Sequence, residues 1–230
     1  MQMKRIYFIR HAEAQSGGKS DFERALSQVG ELCAIKLGEK LRSLGLMPDL
    51  IITSSAIRAL HTAQIIANAL GTTKKIASLR ELYDASLWDL AKFIRSLDEI
   101  RFFGCSVNVE KYNAVGLSSE KPRDANAENS AFKSAKIPAS ISENNAISCN
   151  NVEISSADIV QNFNAASAEC VFIVGHNPAI GAICSLLGEK EVDKFPPCSI
   201  CGLEFDVHKF SDITDHSTDH SGKMVMLQCP

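Results

Sequence analysis

Ile6-Tyr7-Phe8-Ile9-Arg10-His11 is the stretch whose reading decides the fold. Four consecutive β-branched and aromatic residues, followed by polar and glycine-bearing sequence, describe a buried strand that empties into a loop. A cation and an imidazole then emerge at the strand's carboxyl end. In open α/β sheets ligands bind at that end, so Arg10-His11 points to an anionic substrate.

A helix-length segment comes next. Ser27 is placed to cap it, Leu26, Val29, Cys33, Leu37, Leu41 and Leu44 recur at spacings of three and four as one apolar stripe, and Gly45 ends it. Pro48-Asp49 separate this helix from Leu50-Ile51-Ile52-Thr53, a second buried strand. Strand, crossover helix and strand imply a parallel pair, with both carboxyl ends on one side of a sheet. At the second end Ser54 is expected to cap a helix that runs to Leu70 and stops at Gly71, which puts Arg58 in its first turn or so. The helix dipole disfavours a cation there, so Arg58 makes sense beside a bound anion. An exposed surface arginine is the alternative, because the penalty is under about 1 kcal/mol. His61, one turn later, is read as a surface or packing residue.

Farther on, Ile76–Leu79 is a third short strand, Glu81 and Asp84 lie near a loop, and Ser86 caps a helix carrying Leu87, Leu90, Phe93, Ile94 and Leu97. Over about 104–168 Ser, Asn, Ala and Lys dominate and periodicity fades except at Ile159, Val160 and Phe163. Such a length of irregular chain is unusual inside a domain, so this segment is expected to be a flexible insertion ending in a short helix. Residues 170–174 resume the pattern with a buried strand that ends in Gly175-His176-Asn177-Pro178. Asn177 is expected as the cap and Pro178 as the first residue of a helix that Gly188 ends. His176 thus repeats the setting of His11 on a separate strand. Segments 197–206 and 223–228 read as closing strands.

Composition narrows the class. A chain of 230 residues, 45% hydrophobic and 22% charged, suits one α/β domain carrying an insertion. A formal net charge of −3 argues against a general nucleic-acid surface, and no run approaches the roughly 18 apolar residues of a membrane helix. Met1 to Arg5 lead straight into a strand, so a cytoplasmic location is expected, with the eight scattered cysteines reduced. Gly18-Lys19-Ser20 is no P-loop, because the required glycine five residues earlier is Glu13. Cys198-x-x-Cys201 lies in strand-like sequence with no second ligand pair at zinc spacing, and His208, Asp212, Asp215, His216, Asp219 and His220 read as a solvated turn.

Strand ends therefore deliver Arg10-His11, Arg58 and His176 to one side of the sheet, and the first loop can fold Arg24 back over them. Guanidinium groups bind phosphate oxygens bidentately, and a neutral imidazole, with an ordinary pKa of about 6.5, is a nucleophile for phosphorus. Such a site needs no metal and no cofactor.

Phe8-Ile9-Arg10-His11-Ala12-Glu13-Ala14, Ser54-x-x-x-Arg58-Ala59-x-x-Thr62-Ala63 and Val174-Gly175-His176-Asn177-Pro178 resemble the histidine phosphatase superfamily, in particular its small SixA-type phosphohistidine phosphatase branch. Asp21-x-x-Arg24-Ala25-Leu26-Ser27 and Glu81-Leu82-Tyr83-Asp84-Ala85-Ser86 are similar to that branch as well. The resemblance implies a phosphoglycerate mutase-like fold, three-layer α/β/α with a mostly parallel central sheet, in a compact form without a large helical lid. It implies that His11 attacks phosphorus, that Arg10, Arg24 and Arg58 bind the phosphoryl oxygens, and that His176 stabilises the charge in flight. Larger relatives protonate an alcohol leaving group with a carboxylic acid. Here only Glu81 and Asp84 stand near that place, and a phosphoramidate leaves more easily than an alkyl phosphate. A phosphohistidine protein is therefore the expected substrate, ahead of a small phosphorylated molecule, with a non-catalytic phosphoprotein-binding module as the remaining alternative. Departures from the family pattern are Ala12 for glycine and Ser55 for proline.

Overall fold

A computed structural model describes residues 3–17, 20–72, 76–103, 106–107, 163–214 and 222–230. All of them fall in one compact unit built from the two ends of the chain. The expected first strand is β1, Lys4–Arg10, and the stripe after it is α1, Gln28–Ser43. β2 (Leu50–Ser54), α2 (Ile57–Leu70), β3 (Ile76–Leu79) and α3 (Leu87–Ser96) follow in the expected order. Short strands β4 (Arg101–Phe103), β5 (Ser106–Val107) and β6 (Phe163–Asn164) form a small separate sheet. The chain closes with β7 (Cys170–Gly175), α4 (Ala179–Leu187), β8 (Ile200–Phe205) and β9 (Lys223–Gln228).

The main sheet has the order β3-β2-β7-β1-β8-β9. β3, β2, β7 and β1 are mutually parallel, and β8 and β9 add antiparallel at one edge. Alternation along the strands sends Tyr7 and Ile9 to a core shared with Leu37, Leu41, Ile66 and Leu70 of α1 and α2. Ile6 and Phe8 go to the opposite core with Phe93 and Ile94 of α3 and Ile180 and Ile183 of α4. Two helical layers thus sandwich the sheet, as the three-layer expectation required. No helix among the described residues is long and apolar enough to cross a membrane.

Several local expectations change. α1 buries Gly30, Ala34, Leu37, Gly38 and Leu41, while Val29 and Leu44 are exposed, so the true face is rotated from the apolar stripe. Backbone proximity decides this. A Cβ at Gly38 would stand 2.6 Å from the Ala69 Cβ, and one at Gly30 would collide with the Glu13 carbonyl, so both glycines must face inward. Ser54 does not cap α2: it is the last residue of β2, and Ala56 occupies the cap position without a side-chain hydrogen bond. Likewise Pro178, not Asn177, precedes α4, and the Asn177 amide is turned away to donate to the Phe195 carbonyl at 2.9 Å. The caps at Ser27 and Ser86 hold, the latter as a capping box with Asp89.

The carboxyl end of the 104–168 segment is structured. Phe163 lies in β6, Ala165–Ser167 form a 3-10 turn, and Ala165 and Ala168 are fully buried. Lys4 holds this end down: its ammonium donates to the carbonyls of Ala166 at 2.8 Å and Ala168 at 2.7 Å and sits over the Phe210 ring. The short helix expected around Ile159 and Val160 lies outside the described residues, as do residues 108–158.

Candidate functional site

Parallel pairing of β1 with β7 places Arg10 opposite Gly175, so the next residues, His11 and His176, leave the sheet side by side. Their rings stand 5.0 Å apart between centroids, tilted by 55°. β2, on the other side of β7, brings Ser54 to the same edge. Its hydroxyl lies 2.8 Å from His176 Nε2.

The loop that presents His11 is pinned by its backbone. The His11 amide donates to the Gly175 carbonyl, the Ala12 amide to Thr62 Oγ1 at 3.0 Å, and the Cys198 amide reaches the carbonyls of Arg10 and His11. Cys198 adopts the left-handed conformation, φ 65°, to make that approach. The imidazole is fixed as firmly. Its Nδ1 lies 2.7 Å from the Ala12 carbonyl, which can only accept, so Nδ1 carries the proton. Its Nε2 accepts from Arg58 Nε at 3.3 Å, which leaves the lone pair on Nε2 and aims it at the basic side of the site. Burial, reinforced by the charges of Arg58, Arg10 and Arg24, lowers the His11 pKa to about 4. Burial and the neighbouring His11 likewise lower that of His176 to about 3. Both rings are neutral at physiological pH.

Arg58 is 7% exposed, which removes the reading of a solvated helix-surface arginine. It occupies the first turn of α2, where no acidic residue lies, and the anion beside it is Asp21. Arg58 Nη2 meets Asp21 Oδ2 at 2.8 Å, its Nη1 donates to the Asp21 carbonyl, and Arg24 Nη1 meets Asp21 Oδ1 at 3.0 Å. Tyr83 donates its hydroxyl to Asp21 Oδ2 at 2.9 Å and packs edge-on to His176. These donors, Tyr83 foremost, hold the Asp21 carboxyl at about 2. Arg10 donates from Nη1 to the Phe195 carbonyl at 2.8 Å, while its buried Nε has no partner among the described residues. The buried Nδ1 of His176 has none either. The Arg10 Nε–H, a buried donor without a partner among the described residues, matches a ligand rich in acceptor oxygens.

The structure therefore gathers His11, His176, Arg10 and Arg58 directly and joins Arg24 to them through Asp21. A cavity of about 210 Å³ adjoins His176, floored by Leu82, Leu90 and Ile180 and rimmed by Tyr83, Asp84 and Asn177. Of the two carboxylates named as possible proton donors, Asp84 lines this cavity and Glu81 does not. Sequence reasoning gave no role to Asp21, Tyr83 or Thr62, and gave Ser54 the wrong one. The signal for Asp21 was present as an acid three residues before Arg24. Those for Thr62 and Tyr83 are distances across the sheet edge. Among the described residues no group of three His, Cys, Asp or Glu side chains is arranged to hold a metal ion.

Residues 6–92, which carry most of this site, match the sequence profile of the histidine phosphatase superfamily (branch 1). The serine/threonine-protein phosphatase PGAM5, mitochondrial, of Xenopus tropicalis is 39% identical over 80 residues, 34% of this chain and 29% of that protein. Its counterpart in Drosophila virilis is 39% identical over 71 residues, 31% of this chain and 25% of that protein. The chain thus matches less than a third of the length of these curated relatives. Among solved structures, a SixA from Nakamurella multipartitia superposes with a TM-score of 0.57 at 15% identity, covering 99% of this chain and 96% of that one. The protein histidine phosphatase SixA complexed with tungstate gives 0.57 at 13% identity, covering 97% and 96%. These two likenesses establish the shared fold.

Proposed function

The chain belongs to the histidine phosphatase superfamily (branch 1) through residues 6–92, and from that premise we propose that it is a metal-independent phosphatase working through a phosphohistidine intermediate on His11. The observation that carries the proposal is the state of the His11 ring: neutral, proton on Nδ1, with the Nε2 lone pair facing Arg58. In the first step that lone pair forms a bond to phosphorus while the bond from phosphorus to the leaving group breaks. Arg10, Arg24 and Arg58 bind the phosphoryl oxygens, and their charges offset the negative charge that gathers there. Ser54 Oγ accepts from the Ala56 amide, so its hydroxyl hydrogen is free for His176 Nε2; on this reading His176 keeps its proton on Nδ1 and holds one of those oxygens by a hydrogen bond. Water then attacks the phosphorylated His11, releasing inorganic phosphate and restoring the lone pair.

The substrate we favour is a phosphohistidine protein. The sequence relatives carry the name of protein phosphatases and the structural neighbours that of a protein histidine phosphatase, which supports a protein substrate. The leaving imidazole of phosphohistidine needs less acid assistance than an alkoxide. The test is to incubate the protein, in EDTA, with a phosphorylated histidine domain. Dephosphorylation that disappears in His11→Ala is expected; none, or equal activity in His11→Ala, sinks the proposal.

A second reading, a phosphomonoester substrate, is favoured by one observation: Asp84 lines the cavity beside His176 and can deliver a proton to a leaving oxygen. Asp84→Asn separates the two, since on this reading it abolishes turnover of alkyl phosphates and spares that of phosphohistidine. A module that only bound phosphate would have no use for a neutral imidazole whose Nε2 lone pair is held in the site.

A further inference from the structure

Resting on the phosphatase reading, we propose that Asp21 is a positioning residue for phosphoryl transfer, holding Arg58 and Arg24 as one cationic wall while Arg58 changes partners. The need follows from the resting contacts. Arg58 Nε donates to His11 Nε2, the atom that must attack. For the lone pair to reach phosphorus, that N–H has to leave the imidazole and take up a phosphoryl oxygen. An arginine tethered only through its own aliphatic stem would swing. This one is gripped on its other two nitrogens by Asp21, at Oδ2 and at the backbone carbonyl. The shift of Nε from imidazole to oxygen becomes a small pivot about a fixed point.

Asp21 is itself held from several sides. Tyr83 donates to Oδ2 and Arg24 to Oδ1. Phe22 packs edge-on against Tyr83 with ring centroids 5.1 Å apart, the Arg80 guanidinium lies 4.2 Å over Phe22, and the Ile57 amide donates to the Phe22 carbonyl at 3.2 Å. These contacts fasten the Asp21 segment to the start of α2, the element that bears Arg58. Because the carboxylate is an anion beside an anion-binding site, its charge opposes ground-state attraction for phosphate rather than adding to it. Its effect belongs to the chemical step.

The test compares wild type with Asp21→Ala and the isosteric Asp21→Asn. By ¹⁵N NMR, the Arg58 Nε–H signal, assigned by its loss in Arg58→Lys, is expected to be protected from solvent exchange in wild type and broadened in Asp21→Ala. In single turnover with a phosphorylated histidine domain, His11 phosphorylation slows by about 10–100-fold in Asp21→Ala, the scale of a 1 Å misplacement, while KM is unchanged or lower. Asp21→Asn, which keeps the shape but not the charge, falls between. An unchanged Arg58 signal, or a loss confined to KM, overturns the proposal. A wild type that never phosphorylates His11 overturns the phosphatase reading instead, and the NMR comparison then decides the role of Asp21 alone.

Discussion

Arg58 Nε donates to His11 Nε2 across 3.3 Å, and the same guanidinium grips Asp21 with Nη2 at 2.8 Å. One planar fork therefore connects the proposed nucleophile to the anion that anchors the clamp. Lysine cannot reproduce that connection, because an ammonium is a point charge without the fork. Arg58→Lys is expected to lower kcat/KM by about 10–100-fold, the equivalent of losing a charged hydrogen bond of about 1.5–3 kcal/mol, with the folded far-UV spectrum retained. Wild-type kcat/KM in Arg58→Lys would show that the fork is unused.

The two histidines set a pH dependence of stability. Their folded pKa values, about 4 for His11 and about 3 for His176, lie below the value of 6.5 they return to on unfolding. Below pH 6.5 the unfolded chain takes up protons that the native rings refuse, so their contribution is complete above that pH and is lost as pH falls through 4 and then 3. Urea unfolding at pH 7 and pH 5 should give the lower midpoint at pH 5, and NMR titration of the ring carbons should leave both histidines neutral at pH 5. Midpoints near 6.5 would contradict the burial of the site.

Much of this arrangement was legible in the sequence, and the reason is topological. Arg10-His11 and His176 each follow an apolar run, and parallel neighbours present their ends together, so strand reading alone brought the two imidazoles to one edge. Arg58 was legible because a cation at a helix N-terminus calls for an anion. What failed was local. Ser54 looked like a cap since serine caps helices often, yet the strand extends through it and the hydroxyl serves His176 instead. The α1 stripe misled because Gly30 and Gly38 carry no hydrophobic signal, although close backbone approach makes them the innermost positions. Asp21 stood in a motif but was given no role, because its partner Arg58 lies 37 residues away in sequence.

Ser54 offers a sharper test of the His176 assignment. Removing its hydroxyl in Ser54→Ala frees a ring that is otherwise oriented at 2.8 Å, and the kcat for dephosphorylation should fall by about 5-fold, on the scale of one hydrogen bond of about 1 kcal/mol. KM should hold, because Ser54 is no part of the guanidinium clamp. A KM effect without a kcat effect would place His176 in binding alone.

Gly38 tests the packing of α1 on α2. Alanine in a helix is intrinsically favoured over glycine by about 1 kcal/mol, which predicts stabilisation. Its Cβ would, however, meet the Ala69 Cβ at 2.6 Å and the Ile66 carbonyl at 3.0 Å, and overpacking of this kind costs about 1–3 kcal/mol. The clash should win, and Gly38→Ala should lower Tm by a few degrees. A raised Tm would mean that the two helices part without cost.

The most direct measurement is of the phosphate on His11 itself. A histidine domain carrying ³²P is mixed with the protein, quenched in alkali within milliseconds and digested, and the labelled peptide is sequenced. The account predicts an acid-labile, base-stable phosphate on the peptide containing Arg10-His11, absent from His11→Asn. Label on another residue of this protein, or label on its own peptides that persists in His11→Asn, would contradict it.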